Sequence, residues 1–121
     1  SMGETILLVE DEESILKVGR SILERLGYRV LAAQTPEAAL SMAEEHEEIH
    51  LLVTDVVLPQ MNGRELSNRL RSSRPEMRVL YMSGYTANVI VHQGILEEGV
   101  EFVQKPFSIE KLALSVRRAL E

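Results

Sequence analysis

Asp55 ends a short apolar run, "LLVTD" (residues 51–55), whose first residues are typical of a buried strand. An ionised carboxylate beside such a strand is costly unless another group neutralises or coordinates it. The three residues that follow, Val56, Val57 and Leu58, offer no such group. The partner of this carboxylate must therefore come from elsewhere in the chain.

Four further residues could act together with Asp55, namely Glu10, Asp11, Ser83 and Lys105. Three carboxylates crowded together raise one another's pKa unless a cation lies among them. Oxygen ligands alone favour a hard ion, and we predict Mg2+, with Mn2+ as the alternative. Beside such an ion, Asp55 is a carboxylate nucleophile that could attack phosphorus and form an aspartyl phosphate. Lys105 and Ser83 would each bind a phosphoryl oxygen, since phosphoryl transfer depends mainly on positioning and charge neutralisation.

The elements that must position these residues alternate regularly along the chain. The predicted strands are residues 5–10, 28–33, 51–55, 78–83 and 101–105. The predicted helices are residues 12–27, 35–48, 63–75, 86–99 and 108–121. Gly94 weakens the fourth of these helices, because glycine is a poor helix former. The predicted apolar faces are Ile15, Val18, Ile22 and Leu26 in the first helix, Leu66 and Leu70 in the third, and Ile109, Leu112, Val116 and Leu120 in the last.

Near-continuous apolar strands, each followed by a helix, predict a parallel sheet that is covered on both faces. We therefore expect a doubly wound α/β domain with right-handed crossovers. Ligands of such folds bind at the carboxyl ends of the strands. All five candidate residues follow or end a predicted strand, so we expect them to converge on one crevice.

Composition narrows the class of protein. The chain has 121 residues, of which 45% are hydrophobic and 26% are charged, as in a single soluble globular domain, which we place at residues 4–121. The first three residues are typical of a tag remnant or a disordered start. A net charge of -6 argues against direct nucleic-acid binding by this domain. The absence of cysteine excludes disulfides and is consistent with the reducing environment of the cytoplasm. No apolar run approaches the roughly 20 residues that a membrane-spanning helix needs.

Four segments, in this order and spacing, resemble the receiver domain of two-component response regulators: "LLVEDE", "TDVVLPQMNG", "YMSGY" and "VQKPF". The resemblance covers essentially the whole chain. It implies a flavodoxin-like (βα)5 domain with a five-stranded parallel sheet in the order 2-1-3-4-5. It also implies a phosphoacceptor signalling module of a two-component phosphorelay. Such a module catalyses only its own phosphorylation and dephosphorylation, unless it is the receiver part of a larger hybrid kinase.

The resemblance assigns a role to each acidic residue. Asp55 accepts the phosphoryl group from the phosphohistidine of a histidine kinase or a histidine phosphotransfer domain. Asp11 and Asp55 ligate Mg2+ directly, and Glu10 acts through water. The backbone carbonyl of Val57 supplies a further ligand. Glu10 stands where Asp is commoner in the family, which changes the reach of that outer ligand.

Further roles follow from the same resemblance. Ser83 and Lys105 bind the phosphoryl oxygens, and the Lys105–Pro106 peptide bond is cis, a form that occurs chiefly before proline. Ser83 and Phe102 form the switch, with Phe102 at a position that is often Tyr in the family. Its ring can turn inward without a hydroxyl contact.

The segments "YMSGYT" and "GVEFVQKPFS" are similar to receivers fused to hybrid sensor histidine kinases. This similarity implies that a kinase module could be covalently attached, and that this cytoplasmic domain could then belong to a membrane-bound sensor. Val57 and Tyr85 occupy positions that tune self-dephosphorylation in the family. The residues fit an ordinary interpretation equally well, in which one is a valine of a loop and the other a tyrosine of the surface, and neither affects dephosphorylation.

Several alternatives compete with this interpretation. A pseudo-receiver, which keeps the fold as an interaction domain without using phosphate, is the main one. "HEEIH" at residues 46–50 matches the H-E-x-x-H pattern of zinc peptidases, but His46 lies near the end of a predicted helix and His50 adjoins a predicted strand, so the two do not share one continuous helix. Phosphatases of the other doubly wound type need a second acidic residue at the position of Val57. A dinucleotide-binding fold needs a glycine-rich turn after the first strand. The sequence has neither feature, so both alternatives are disfavoured. Pro59 and Gly63 are ordinary loop residues unless the resemblance holds.

Overall fold

The computed structural model describes residues 3–121, so the tag remnant predicted at residues 1–3 falls largely outside the described residues. The strands are β1 (Thr5–Val9), β2 (Arg29–Ala33), β3 (Leu51–Asp55), β4 (Arg78–Ser83) and β5 (Phe102–Gln104). All four pairings between neighbouring strands are parallel, and the strand order is β2-β1-β3-β4-β5. The predicted five-stranded parallel sheet and its order are confirmed.

Five helices alternate with the strands. They are α1 (Glu13–Arg25), α2 (Pro36–Glu45), α3 (Gly63–Ser73), α4 (Ala87–His92) and α5 (Ile109–Leu120). Thr35 caps α2 by accepting a hydrogen bond from a backbone N–H of the first turn, and Pro36 is the first helical residue, as predicted. Within residues 3–121, no helix has the length and apolarity needed to cross a bilayer.

The core lies on both faces of the sheet, because successive side chains of a strand point to opposite sides. In β1, Ile6 and Leu8 pack with residues of α1 and α5, whereas Leu7 and Val9 pack with residues of α2 and α3. The helices therefore form one layer on each face. This arrangement confirms the doubly wound α/β architecture and leaves the carboxyl ends of the strands open.

The fourth helix is shorter than predicted. It ends at His92, and not near Gly99, because Gly94 adopts a left-handed conformation with a φ of 70°. The N–H groups of Gly94 and Ile95 donate to the carbonyls of Val91 and Ile90, which is the pairing of a Schellman motif. Gly94 thus stops the helix rather than merely weakening it.

The predicted apolar face of α1 is partly wrong. Val18 is 55% exposed, and the buried face is formed by Leu16, Gly19, Ile22 and Leu23. Gly19 faces the sheet, where a Cβ atom would lie 3.2 Å from a methyl group of Leu8.

The predicted face of α5 is partly wrong as well. Leu112 and Val116 are buried as predicted, but Ile109 is 52% exposed at the start of the helix. In α3, Leu66 and Leu70 are both buried, which confirms the face predicted for that helix.

Candidate functional site

Three carboxylates meet at the carboxyl ends of β1 and β3, which are neighbours in the sheet. Carboxylate oxygens of Glu10, Asp11 and Asp55 lie within 4.8 Å of one another. Glu10 and Asp55 are buried, whereas Asp11 is exposed. The predicted convergence of the three acids is therefore present, with one acid on the solvent side of the cluster.

Lys105 forms ion pairs with both buried carboxylates. Its Nζ atom donates to Oε1 of Glu10 and to Oδ2 of Asp55, both at 2.7 Å. The backbone N–H of Lys105 donates to the carbonyl of Ser83 at 2.7 Å, which ties the end of β5 to the end of β4. The Lys105–Pro106 peptide bond is cis, the form that the resemblance implied. A buried pair of this kind is costly to break, because removing one partner leaves an uncompensated charge.

The electrostatics of the cluster follow from this pairing. Burial raises the pKa of Glu10, although hydrogen bonds from Lys105 and from the backbone N–H of Glu12 oppose that effect. Burial alone would lower the pKa of Lys105, but its hydrogen bonds to Asp55 and Glu10 and their charges raise it above its ordinary value. Lys105 is therefore positively charged at neutral pH. Three carboxylates beside one ammonium leave an excess of negative charge that favours a dication.

The loop between β3 and α3 orients Asp55. The backbone N–H of Val57 donates to Oδ1 of Asp55 at 3.3 Å, and the Thr54 hydroxyl donates to the Asp55 carbonyl at 3.0 Å. The backbone N–H of Gly63 closes the loop by donating to the carbonyl of Val56 at 2.8 Å. The sequence did not point to Thr54 or Gly63 as supports of the site, because both contacts are made to backbone atoms.

Ser83 and Phe102, the predicted switch residues, lie on neighbouring strands. Ser83 is buried, and its hydroxyl accepts a hydrogen bond from the backbone N–H of Tyr85 at 3.0 Å. Phe102 is half-buried at the start of β5. Its ring packs against a small cluster beneath α4 that consists of Val56, Tyr81, Ile90 and Leu96.

The family model for the response regulator receiver domain matches residues 6–117 of this chain. The chain belongs to this family. Sensor kinase CckA of Brucella abortus is 36% identical to it over 122 residues, which are 100% of this chain and 13% of that protein. The aerobic respiration control sensor protein ArcB of Escherichia coli is 36% identical over 115 residues, which are 93% of this chain and 15% of ArcB.

A solved structure agrees with these sequence matches. The crystal structure of the receiver domain of the hybrid histidine kinase CckA superposes with a TM-score of 0.80 at 36% identity, covering 97% of this chain and 99% of that one. The receiver fold is therefore confirmed, and so is the similarity to receivers of hybrid histidine kinases. The chain spans only a small part of the sensor kinases that it matches, so it corresponds to their receiver portion.

The histidines of "HEEIH" do not form a zinc site of the H-E-x-x-H kind. His46 caps the end of α2, and its Nδ1 lies 2.8 Å from the carbonyl of Met42. His50 lies beyond the helix, and its Nδ1 accepts the backbone N–H of Thr5 at 2.9 Å. The two side chains therefore do not share a helix, and each has a structural partner.

Proposed function

We propose that this receiver domain accepts a phosphoryl group on Asp55 from the phosphohistidine of a histidine kinase or of a histidine phosphotransfer domain. The observation that carries the proposal is the cluster of Asp55 with Glu10, Asp11 and Lys105 at the open ends of the strands. Phosphoryl transfer requires a nucleophile, positive charge on the phosphoryl oxygens and little other chemistry. The four side chains supply these needs together with one bound cation.

The donor set fits Mg2+, with Mn2+ as the alternative. Glu10, Asp11 and Asp55 offer three carboxylate oxygens within 4.8 Å of one another, and a few carboxylates completed by water are the usual protein ligands of Mg2+. We assign Asp11 and Asp55 as direct ligands, Glu10 as a ligand through water and the Val57 carbonyl as the fourth protein group. When bound, the ion neutralises charge on the phosphoryl oxygens.

Three side chains of this domain would each have a separate role in the transfer. A carboxylate oxygen of Asp55 forms a bond to phosphorus, the bond from phosphorus to the donor's imidazole nitrogen breaks, and that nitrogen keeps the electron pair and takes up a proton. Lys105 gives up its bond to Asp55 and pairs with a phosphoryl oxygen. The Ser83 hydroxyl, now held by the N–H of Tyr85, would turn to donate to another oxygen.

An apolar surface beside the crevice suits the donor. Ile15 and Val18 of α1 face Pro106 and Phe107 across a cavity of about 450 Å³, which Lys105 also lines. The patch is thus continuous with the phosphoacceptor site through Lys105. We assign it to the helix of the donor that carries the phosphohistidine, because an apolar helix face docked there would present its histidine to Asp55.

The matched relatives extend the proposal to the whole protein. CckA and ArcB are sensor kinases of which this chain matches only the receiver portion. We propose that the domain works beside a covalently attached kinase module, in the cytoplasm, where kinases obtain ATP. The signal that such a protein senses is a separate question from the chemistry of Asp55.

The decisive experiment labels the domain with radioactive acetyl phosphate in the presence of Mg2+. The parent chain should acquire an acyl phosphate that is labile in both acid and base, and Asp55→Asn should acquire none while staying folded, since the amide is not a nucleophile. Glu48→Gln is the matched control, because it neutralises an exposed carboxylate that lies just before β3, at the opposite end of that strand from Asp55. A parent that takes no label would favour the pseudo-receiver, and equal labelling of Asp55→Asn would disprove the assignment of the acceptor.

A further inference from the structure

We propose that Gly63 is a positioning residue for phosphoryl transfer. It is the first residue of α3, and the absence of a side chain there lets the helix start directly against the backbone of Asp55. The proposal rests on the proposed role of Asp55 as the nucleophile. It assigns Gly63 a function that its place in a loop motif did not suggest.

The close approach is visible from the space around Gly63. A Cβ atom built on this residue would lie 2.2 Å from the carbonyl oxygen of Asp55 and 3.2 Å from the carbonyl carbon. It would also lie 3.2 Å from the Cγ2 methyl of Thr54. Real Cβ atoms essentially never come within 3.0 Å of another heavy atom, and the main obstacle is backbone that cannot rotate away. Any side chain at this position must therefore displace either α3 or Asp55.

Conformational freedom is not the reason for the glycine. Gly63 is absent from the glycines with positive φ among the described residues, so an L-residue could adopt its backbone conformation. Alanine is also the better helix former and would ordinarily stabilise the first turn of α3. Only the close contacts with Asp55 and Thr54 oppose alanine here, and the contact with the Asp55 carbonyl oxygen is by far the shortest, which makes the effect of the substitution diagnostic.

The Asp55 backbone has little room to yield. Its register partner in β4 is Met82, whose carbonyl accepts the next N–H, that of Val56, at 2.9 Å. The carbonyl of Val56 in turn accepts the N–H of Gly63 at 2.8 Å. Val56 is thus hydrogen-bonded to β4 through its N–H and to Gly63 through its carbonyl, and the second of these bonds closes the loop. A side chain forced between Gly63 and Asp55 would strain this hydrogen bond and tilt Asp55, which carries the nucleophilic carboxylate.

The consequence for the reaction follows from distances. Relieving a contact of 2.2 Å requires a movement of about 1 Å, and a misplacement of that size can slow a positioned reaction by about a hundredfold. The carbonyl of Val57, assigned above as a metal ligand, lies in the same loop and would move with it. Gly63→Ala should therefore weaken Mg2+ binding and slow phosphorylation, even where the fold survives.

The test compares rates of labelling by acetyl phosphate per folded molecule, with the folded fraction of each variant measured by circular dichroism. Gly63→Ala should react about a hundredfold more slowly than the parent. Gly19→Ala is the matched control, since the same change meets side-chain atoms and no backbone, namely the methyl groups of the flexible Leu8 side chain and, at 4.0 Å, the ring of Phe107. Thr35→Ala removes the cap of α2 and controls for lost stability alone. Both controls should react within about twofold of the parent.

A second variant covers the case in which Gly63→Ala is too unstable to assay. Gln60, in the same loop, has a φ of 71°, so Gln60→Gly should relieve strain and restore stability to the double variant. The double variant should be folded and still slow. A folded Gly63→Ala variant, single or double, that reacts at the parent's rate would overturn the proposal. A double variant that remains unfolded would also overturn it, because the displacement would then not be local.

The NMR shift of the Asp55 carboxyl carbon separates this proposal from the proposed function. It should change in Gly63→Ala and stay unchanged in Gly19→Ala, whether or not the domain accepts phosphate. An unlabelled parent would thus count against the proposed function alone, whereas an unchanged Asp55 resonance in Gly63→Ala would count against the positioning role.

Discussion

The Nζ atom of Lys105 lies 2.7 Å from Oδ2 of Asp55 and 2.7 Å from Oε1 of Glu10. One ammonium group thereby pairs with two carboxylates that stand at the ends of different strands and are almost fully buried. A divalent ion bound by the same carboxylates would be repelled by this ammonium group and would share its partners. Lys105 and the ion therefore oppose each other in binding and cooperate in neutralising the phosphoryl group.

The first prediction is that Lys105→Met raises the affinity for Mg2+ by about tenfold, because it removes a positive charge beside the ion; this corresponds to about 1.4 kcal/mol. Without Mg2+ the variant should be less stable than the parent, since the Glu10 and Asp55 carboxylates lose their partner. Phosphorylation should be severely slowed. Isothermal titration calorimetry gives the affinity, and thermal unfolding with and without Mg2+ gives the stability.

Two further variants serve as controls for the effect of Lys105→Met on Mg2+ binding. Lys17→Met removes an exposed lysine that forms an ion pair with Glu13 at 3.1 Å on α1, so it should leave Mg2+ binding unchanged. Asp11→Ala should weaken binding strongly, because it removes a ligand. If Lys105→Met bound Mg2+ no more tightly than the parent, the ammonium would not compete with the ion.

The sequence was sufficient to predict the strands and the convergence of the site, but only part of the packing. Near-continuous apolar runs predicted the five strands, and residues at the ends of parallel strands must meet at one edge of the sheet. The face of α1 was mispredicted because Gly19, which has no side chain, faces the sheet while Val18 points to solvent. Hydrophobic periodicity cannot identify a glycine that packs.

Contacts between distant residues were also beyond the sequence. Arg74, just after α3, donates to the carbonyls of Ala43, His46 and Glu47 at the end of α2, and its place in a polar segment gives no sign of this. Such contacts depend on how the helices lie on the sheet, which local patterns do not determine.

The second prediction concerns output. Phosphate at Asp55 should draw the Ser83 hydroxyl towards it and leave a space into which Phe102 can turn. Phe102 now lines a cavity of about 300 Å³ together with residues of α4, so this movement should alter that face. Adding beryllofluoride, a phosphate mimic, with Mg2+ should therefore shift NMR resonances of Val89, Ile90 and Lys111. Ser83→Ala should reduce these distant shifts.

Beryllofluoride added to the Asp55→Asn variant is the control and should produce no change, because the amide offers no carboxylate oxygen to which it can bond. The coupling would be disproved by shifts that remain confined to Glu10, Asp11, Asp55 and their neighbours in the parent. The same conclusion would follow if Ser83→Ala left the shifts on α4 and α5 at full size.

The third prediction uses Tyr28, a buried tyrosine in the core. Burial raises its pKa above the ordinary 10.0, while the charge of Arg117 opposes this and that of Glu4 adds to it. The folded chain thus holds the phenolic proton more tightly than the unfolded chain. The resulting contribution to stability is fully present below about pH 10 and is lost as the pH rises through the folded-state pKa.

Urea unfolding between about pH 8 and pH 11 measures this contribution. Tyr28→Phe should flatten the alkaline decline in the free energy of unfolding, because no phenol remains to ionise at that position. Tyr85→Phe is the control, since that ring is 61% exposed in the folded chain. An equal decline in Tyr28→Phe and the parent would show that Tyr28 does not contribute.

The last prediction concerns the lifetime of the aspartyl phosphate. Val57 and Tyr85 contact the site through their backbone N–H groups, which donate to Asp55 and Ser83, while both side chains are exposed at the rim of the crevice. Valine offers no hydrogen bond to an attacking water, and the Tyr85 ring can screen the phosphoryl group from solvent.

Val57→Asn with Tyr85→Glu should therefore shorten the lifetime by about tenfold, a barrier change of about 1.4 kcal/mol, because polar side chains at the rim can orient the attacking water. Release of phosphate from pre-labelled domain in the presence of Mg2+ measures the rate. Val18→Asn is the matched control, because it places the same amide on an exposed valine of α1 that does not contact Asp55. A double variant that decays as slowly as this control would show that the side chains of Val57 and Tyr85 do not control the access of water to the phosphorus.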